Sequence, residues 1–250
     1  MTLQNCRVVL VRPRVAGNLG STARVMRNMG LGDLVLVAPE ADPADVRARR
    51  LSAHGESILR NARRVGDLGE AVAECPLVVG TSARTGGLVR RQSVSAPEET
   101  MTAVADVLPA GPAALVFGPE RTGLTNEEVC RCHHLIHIPT DRAYRALNLA
   151  QAVTICLYEL RRAWLRRPSN AAAAETPAPF VVQERMFDHL RASLEAIHFL
   201  YGPKADSLMH ALRHLIGRAR PTAMEVDVLH GLARQIHWAA DKARSEPGKL

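Results

Sequence analysis

Short apolar runs at residues 8–11, 34–37, 77–79, 113–117 and 135–138, the last broken only by His137, alternate with stretches of helical pattern. A run without polar alternation suits a strand buried on both faces. Strands interleaved with helices imply a parallel sheet, because parallel neighbours need a crossover between them. The expected fold class is therefore α/β, a parallel sheet flanked by helices on both faces. Several runs end in Gly or Pro followed by small polar residues, as in Val79-Gly80-Thr81-Ser82 and Phe117-Gly118-Pro119-Glu120. Those turns lie at the carboxyl ends of strands, where open α/β sheets bind ligands.

The pattern stops after Arg166-Arg167-Pro168, where residues 169–179 become small residues and proline and read as a linker. Three helical patterns come after it, separated by Gly202-Pro203 and by Pro221. The expected division is residues 1–166 for the α/β domain, 167–179 for a linker and 180–250 for a small all-helical carboxy-terminal extension. A chain of 250 residues with 47% hydrophobic content can bury a core in each part. Within the first part, one helix is expected from near Gly20-Ser21 to Gly30. A second should start at Thr125, with Glu128 completing a capping box. A third should run from about Asn148 to Leu165, with Leu149, Val153, Cys156, Leu160 and Trp164 along one stripe.

Thirty-two Lys+Arg against 25 Asp+Glu give a formal charge of +7, which favours a polyanionic partner such as nucleic acid. No stretch approaches the roughly 18 apolar residues of a membrane span, and the amino terminus lacks the order of a signal peptide, so a cytoplasmic location is expected. The five cysteines form an odd set without framework spacing, and no disulfide is expected. Cys130-Arg131-Cys132-His133-His134-Leu135-Ile136-His137 crowds potential metal ligands together. Its C-x-C spacing departs from the usual zinc pattern, and a strand there would send His134 and His137 to opposite faces. No metal site is expected there. His210 and His214 lack the intervening glutamate of H-E-x-x-H and are expected to be ordinary helix residues.

Three loop segments carry the chemistry. The first, residues 15–30, comes after a strand and opens a helix; its small residues would let an anion approach backbone N–H groups. It is neither G-x-G-x-x-G nor a P-loop. The second, residues 115–125, sets Glu120 and Arg121 between Gly118 and Gly123, and the third, residues 138–153, is a polar loop ending in a helix start.

In this order and context the three segments resemble the SPOUT superfamily, in its branch of RNA ribose 2′-O-methyltransferases. The resemblance is carried by Asn18-Leu19-Gly20-Ser21-Thr22-Ala23-Arg24, by Phe117-Gly118-Pro119-Glu120-Arg121-Thr122-Gly123-Leu124, and by Ile138-Pro139 through Leu147-Asn148-Leu149-Ala150. Val78-Val79-Gly80-Thr81-Ser82-Ala83-Arg84 adds to it and points to the members that methylate nucleotide 32 of the tRNA anticodon loop. It spans roughly residues 4–165. What it implies is a sheet whose carboxy-terminal part is tied in a deep trefoil knot, S-adenosylmethionine as methyl donor, no metal, and a homodimer acting on tRNA. The implied donor-binding residues are Thr81, Ser82, Ala83, Gly118, Ile138, Arg145, Ala146 and Leu147. The implied catalytic residues are Arg24, Asn18, Glu120 and Asn148, with first-motif residues of one subunit near the donor of the other.

A guanidinium stays protonated, so Arg24 is expected to grip the phosphate beside the target hydroxyl and polarise it, not to act as a base. One departure stands out: the family commonly has Ser-Leu-Asn where this chain has Ala146-Leu147-Asn148. An rRNA ribose methyltransferase and a non-catalytic RNA-binding dimer are the alternatives. Basic clusters at residues 47–50, 60–64, 90–91 and 161–167 are candidate phosphate contacts.

Overall fold

The computed structural model describes residues 3–84, 94–168 and 176–245. Arg90, Arg91 and residues 169–175 of the expected linker lie outside them. Among the described residues seven strands form one sheet in the order β3-β2-β1-β6-β4-β7-β5, all pairs parallel. They are β1 (Cys6–Val11), β2 (Asp33–Val37), β3 (Arg63–Val65), β4 (Leu77–Thr81), β5 (Val94–Ser95), β6 (Ala113–Phe117) and β7 (His134–Ile136). β3 and β5 have no counterpart among the apolar runs. Both lie at sheet edges, where pairing on one side suffices; β3 exposes two of its three residues, and β5 has only two residues, so neither needs such a run.

Alternate strand residues enter two separate cores. Val8, Leu10, Leu34, Leu36, Leu115 and Phe117 pack under one layer of helices. That layer is α1 (Ala16–Met29), α5 (Pro97–Val107) and α7 (Leu149–Arg166). Val9, Val11, Val35, Val37, Val78 and Val116 face the other layer, where α4 (Leu68–Val72) and α6 (Asn126–Cys130) lie. The expected stripe of α7 is buried at Leu149, Val153, Cys156 and Leu160, with Trp164 partly buried. α2 (Val46–Ser52) and α3 (Glu56–Arg60) pack across α1. The approach to α2 is close enough that a Cβ on Gly20 would stand 2.1 Å from the Ala48 carbonyl oxygen, so only glycine fits there.

The carboxy-terminal helices α8 (Phe180–Ala196), α9 (Ala205–Ala219) and α10 (Ala223–Ser245) enclose a core of their own around Met186, Phe187, Met209 and Val226. They are also docked onto the sheet domain. Phe180 joins the second core; the Val181 N–H donates to Ala73 O (3.1 Å), and Gln183 donates to Pro76 O (3.3 Å). Burying a phenyl ring is worth about 2–3 kcal/mol. His133, buried just before β7, accepts the Val78 N–H on Nδ1 (2.9 Å), while its own carbonyl contacts His214 Nδ1 (3.1 Å). Burial pushes His133 down to about 3, and burial together with His210 pushes His214 down to about 3. The His133 ring is therefore a neutral structural acceptor.

Candidate active site

The loops that leave β1, β4, β6 and β7 all open at the carboxyl ends of the strands. Three of them, after β4, β6 and β7, surround a cavity of about 310 Å³, within the range of small-ligand sites. Every residue expected to hold the donor lines it: Thr81 at the end of β4 with Ser82 and Ala83 after it, Gly118 after β6, and Ile138, Arg145, Ala146 and Leu147 after β7. Apolar wall comes from Phe117, Leu124, Ile136, Leu149 and Ala152, and the lining also includes Arg84, Glu120, Arg121 and Thr122. Ile136 and Ala152 carry no chemical signal in the sequence; they reach the site because a strand end and a helix flank happen to pass it.

The cavity depends on how the β6 loop folds back. A Cβ on Gly118 would come within 2.3 Å of the Leu124 nitrogen and 2.4 Å of the Gly123 carbonyl carbon. The loop is tightened by the Gly123 N–H donating to Pro119 O (2.9 Å), with Gly123 itself at φ 67°. On the opposite side the Ser82 N–H continues the β4–β7 ladder to Ile136 O (2.9 Å). An apolar slot rimmed by backbone polar groups and hydroxyls fits a flat purine ring with a polar tail.

α1 begins at Ala16, four residues before the start expected from Gly20-Ser21, and no side chain of the preceding Val15 caps it. The capping charge comes from far along the chain. Glu120 accepts from the Val15 N–H (3.1 Å) and the Arg14 N–H (3.1 Å). It also accepts from Asn18 Nδ2 (2.8 Å). The anion expected at this helix terminus is thus the protein's own carboxylate. Asn148 Nδ2 in turn donates to Asn18 Oδ1 (2.9 Å), and Asn148 Oδ1 accepts the Ala150 N–H (2.9 Å) as the N-cap of α7. Partial burial opposes the charge on Glu120, but the hydrogen bonds from Asn18 and from the backbone outweigh it and hold the carboxyl below its ordinary range. Glu120 is accordingly an ionised organiser with its lone pairs engaged, a poor proton acceptor.

Asn18, Glu120 and Asn148, which are up to 130 positions apart, therefore form one chain of contacts that stitches the three motif segments together. Arg24 is not brought to them. It lies further along α1, exposed, outside the cavity lining and in no hydrogen bond or ion pair among the described residues. Of the basic clusters, Arg47, Arg49, Arg50, Arg60 and Arg63 are exposed and in no ion pair among those residues, whereas Arg64, Arg162, Arg166 and Arg167 are paired. Among the described residues no group of three side chains could hold a metal ion, and no helix is long and apolar enough to cross a membrane.

A parallel sheet with a glycine-cradled cavity at its carboxyl edge, and charged groups around that cavity, defines an α/β protein that binds a small polar cofactor. The chain belongs to the SpoU rRNA methylase family, whose profile matches residues 5–158; that of the tRNA methyltransferase TrmJ carboxy-terminal domain matches residues 183–246. It is 43% identical over 239 residues to the tRNA (cytidine/uridine-2′-O-)-methyltransferase TrmJ of Salmonella typhimurium, covering 94% of this chain and 97% of the relative. Among solved structures it is similar to TrmJ from Z. mobilis ZM4 (TM-score 0.74, 31% identity, 92% of this chain and 98% of that one). It is also similar to an AdoMet-bound rRNA methyltransferase from Sinorhizobium meliloti (TM-score 0.51, 26% identity, 65% and 57%). The expected family and the parallel-sheet fold are borne out.

Proposed function

We propose that this protein transfers the methyl group of S-adenosylmethionine to a ribose 2′-hydroxyl of tRNA, at position 32 of the anticodon loop, acting as a cytoplasmic homodimer. The observation that carries the reading is the convergence of Thr81, Ser82, Ala83, Gly118, Ile138, Arg145, Ala146 and Leu147 on one cavity. Those residues would hold the donor, which supplies an electrophilic sulfonium methyl group. The 43% identity to a tRNA 2′-O-methyltransferase over nearly the whole chain and the match of the carboxy-terminal helices to that enzyme's own domain support tRNA over rRNA.

The chain's own residues have separable roles. Glu120, Asn18 and Asn148 hold the loops in register, so that the two reactants meet aligned. Arg24, exposed and without a partner among the described residues of its own chain, is proposed to reach the cavity of the second subunit. There it grips the phosphate next to the target ribose and polarises the hydroxyl, whose proton leaves through that phosphate. The unpaired arginines of α2, α3 and β3 extend a positive surface from α1. The trefoil threading implied by the resemblance belongs to this proposal. It is supported by β7 lying beyond β6 against β4 and by the β6 and β7 loops sharing one cavity. We also propose the division into a catalytic domain to residue 166 and a helical extension from residue 180.

Transfer of labelled methyl from S-adenosylmethionine to total tRNA and rRNA, followed by nucleoside analysis, tests the reading. The expected result is label in 2′-O-methylated nucleosides of tRNA. Label on a base, or on rRNA alone, would overturn it.

A further inference from the structure

We infer that Arg12 and Glu128 form a positioning pair that sets the shape of the donor cavity's β6-side wall. Arg12 comes directly after the last residue of β1 with φ 45°, a left-handed backbone conformation that glycine adopts without steric cost and arginine does not. The turn is held by the Arg12 N–H donating to Val37 O (2.8 Å). What an arginine gains there is its side chain. The guanidinium meets the Glu128 carboxylate through two parallel contacts, Nη1 to Oε1 (2.5 Å) and Nη2 to Oε2 (3.1 Å), with the Glu128 side chain only 13% exposed.

Glu128 also serves its own helix, where it accepts the Thr125 N–H (2.8 Å) and closes the capping box that starts α6. Arg12 thus fixes, from another strand, the point where the β6 loop ends. Glu120 fixes the same loop near its beginning, on the backbone N–H groups of Arg14 and Val15. Residues 12–15 are themselves immobilised against the exit of β2. The N–H groups of Glu40 and Ala41 donate to Pro13 O (3.1 and 2.9 Å), and Arg14 makes a two-armed contact with Glu40 (2.8 and 2.9 Å). Arg121, Thr122, Gly123 and Leu124, which line the cavity, are suspended between these two anchors. Burial opposes the charge on Glu128, yet the Arg12 hydrogen bond and the Thr125 N–H hold its carboxyl below the ordinary range. The pair stays charged at neutral pH. An ordinary surface ion pair would contribute little and would not recruit a strained backbone position.

The inference rests on the assignment of the cavity to the methyl donor. The test is calorimetric titration of S-adenosylmethionine into the full-length apo protein, beside a thermal melt of each variant. Arg12→Gly removes the strut and the backbone strain together, so its melting temperature should stay close to wild type while donor affinity falls about tenfold. Arg12→Lys, which keeps a single charged contact, should recover part of that loss. Glu128→Gln keeps an oxygen for the cap and should lose less than Arg12→Gly. Unchanged affinity in Arg12→Gly would overturn the positioning role, as would a loss of affinity matched by a loss of melting temperature. Gly118→Ala is the control for the cavity: if it binds donor as wild type does, the donor assignment itself falls, and the inference with it.

Discussion

The two walls of the cavity are built on different terms. The β6-side wall, residues 118–128, is tied to residues 12–18 at Glu120 and at Glu128 by contacts that span more than a hundred positions of sequence. The β7-side wall, residues 138–147, is held by short-range bonds: Thr140 Oγ1 to Arg145 O (3.3 Å), and Asp141 accepting from the Ala143 N–H (2.8 Å). Tyr144 is 79% exposed, and Arg145 and Ala146 are exposed beside it. One wall is a fixed template; the other can adjust to what it contacts. Substitutions that loosen the first should therefore act on the donor's seat and on alignment of the reactants, and changes to the exposed side chains of the second, whose backbone lines the donor cavity, chiefly on contacts with the RNA.

The largest effect is expected at Glu120. Glu120→Gln puts an N–H donor where N–H groups already converge, and methyl transfer should fall about 100-fold from loss of alignment. Single-turnover kinetics with saturating donor and RNA checks this. If Arg145→Ala costs more than Glu120→Gln, the contrast between the walls is wrong.

Next is pH, felt at the amino end of β7, where the helical extension meets the sheet. His133 and His214 stay neutral in the fold, with values pushed down to about 3 chiefly by burial, against about 6.5 in the unfolded chain. Because the unfolded chain binds protons that the fold excludes, stability is complete above pH 6.5 and declines as pH falls towards 3. Each histidine contributes a slope of about 1.4 kcal/mol per pH unit. Chemical denaturation between pH 7 and 5 should show that decline, and His214→Gln should flatten it; equal slopes would remove the buried-histidine account of how the extension docks.

Arg145→Ala should weaken RNA binding several-fold and reduce the salt slope of binding by about one; the expected donor contact at this position is through the backbone, which the substitution keeps, so donor affinity should fall less than RNA affinity. Filter binding at several salt concentrations reads both. The smallest effect belongs to Ala146→Ser. Ala146 is exposed on the adjustable wall, so restoring the family's hydroxyl should raise the methylation rate or leave it as it is; a clear loss of rate would show that alanine is required here.

Five of the strands are legible in the sequence because each carries a short apolar run, residues 8–11, 34–37, 77–79 and 113–117, and Leu135-Ile136 in β7, a pattern that burial on both faces favours. β3 and β5 are not, since an edge strand needs no such run and β3 is mostly arginine. The capping boxes at Thr125 and Asn148 are local, and local signals survive in sequence: the first is complete in Thr125 and Glu128, and the second shows in the Asn that opens α7. The start of α1 is hidden from a local reading because its cap is Glu120, a hundred residues away. The Arg12–Glu128 contact has the same character; neither residue belongs to the motifs that carry the resemblance, and only the folded sheet brings them together.

The central claim is that each cavity is assembled from one chain while the phosphate-gripping cation, Arg24, is supplied by the other. Mixed dimers test it most directly, formed from Arg24→Ala subunits and Gly118→Val subunits that are each inactive as homodimers. The account predicts that mixing restores methylation of tRNA, because one cavity of the hybrid pairs an intact pocket with an intact Arg24. Hybrid dimers as inactive as their parents would contradict it and return Arg24 to its own chain.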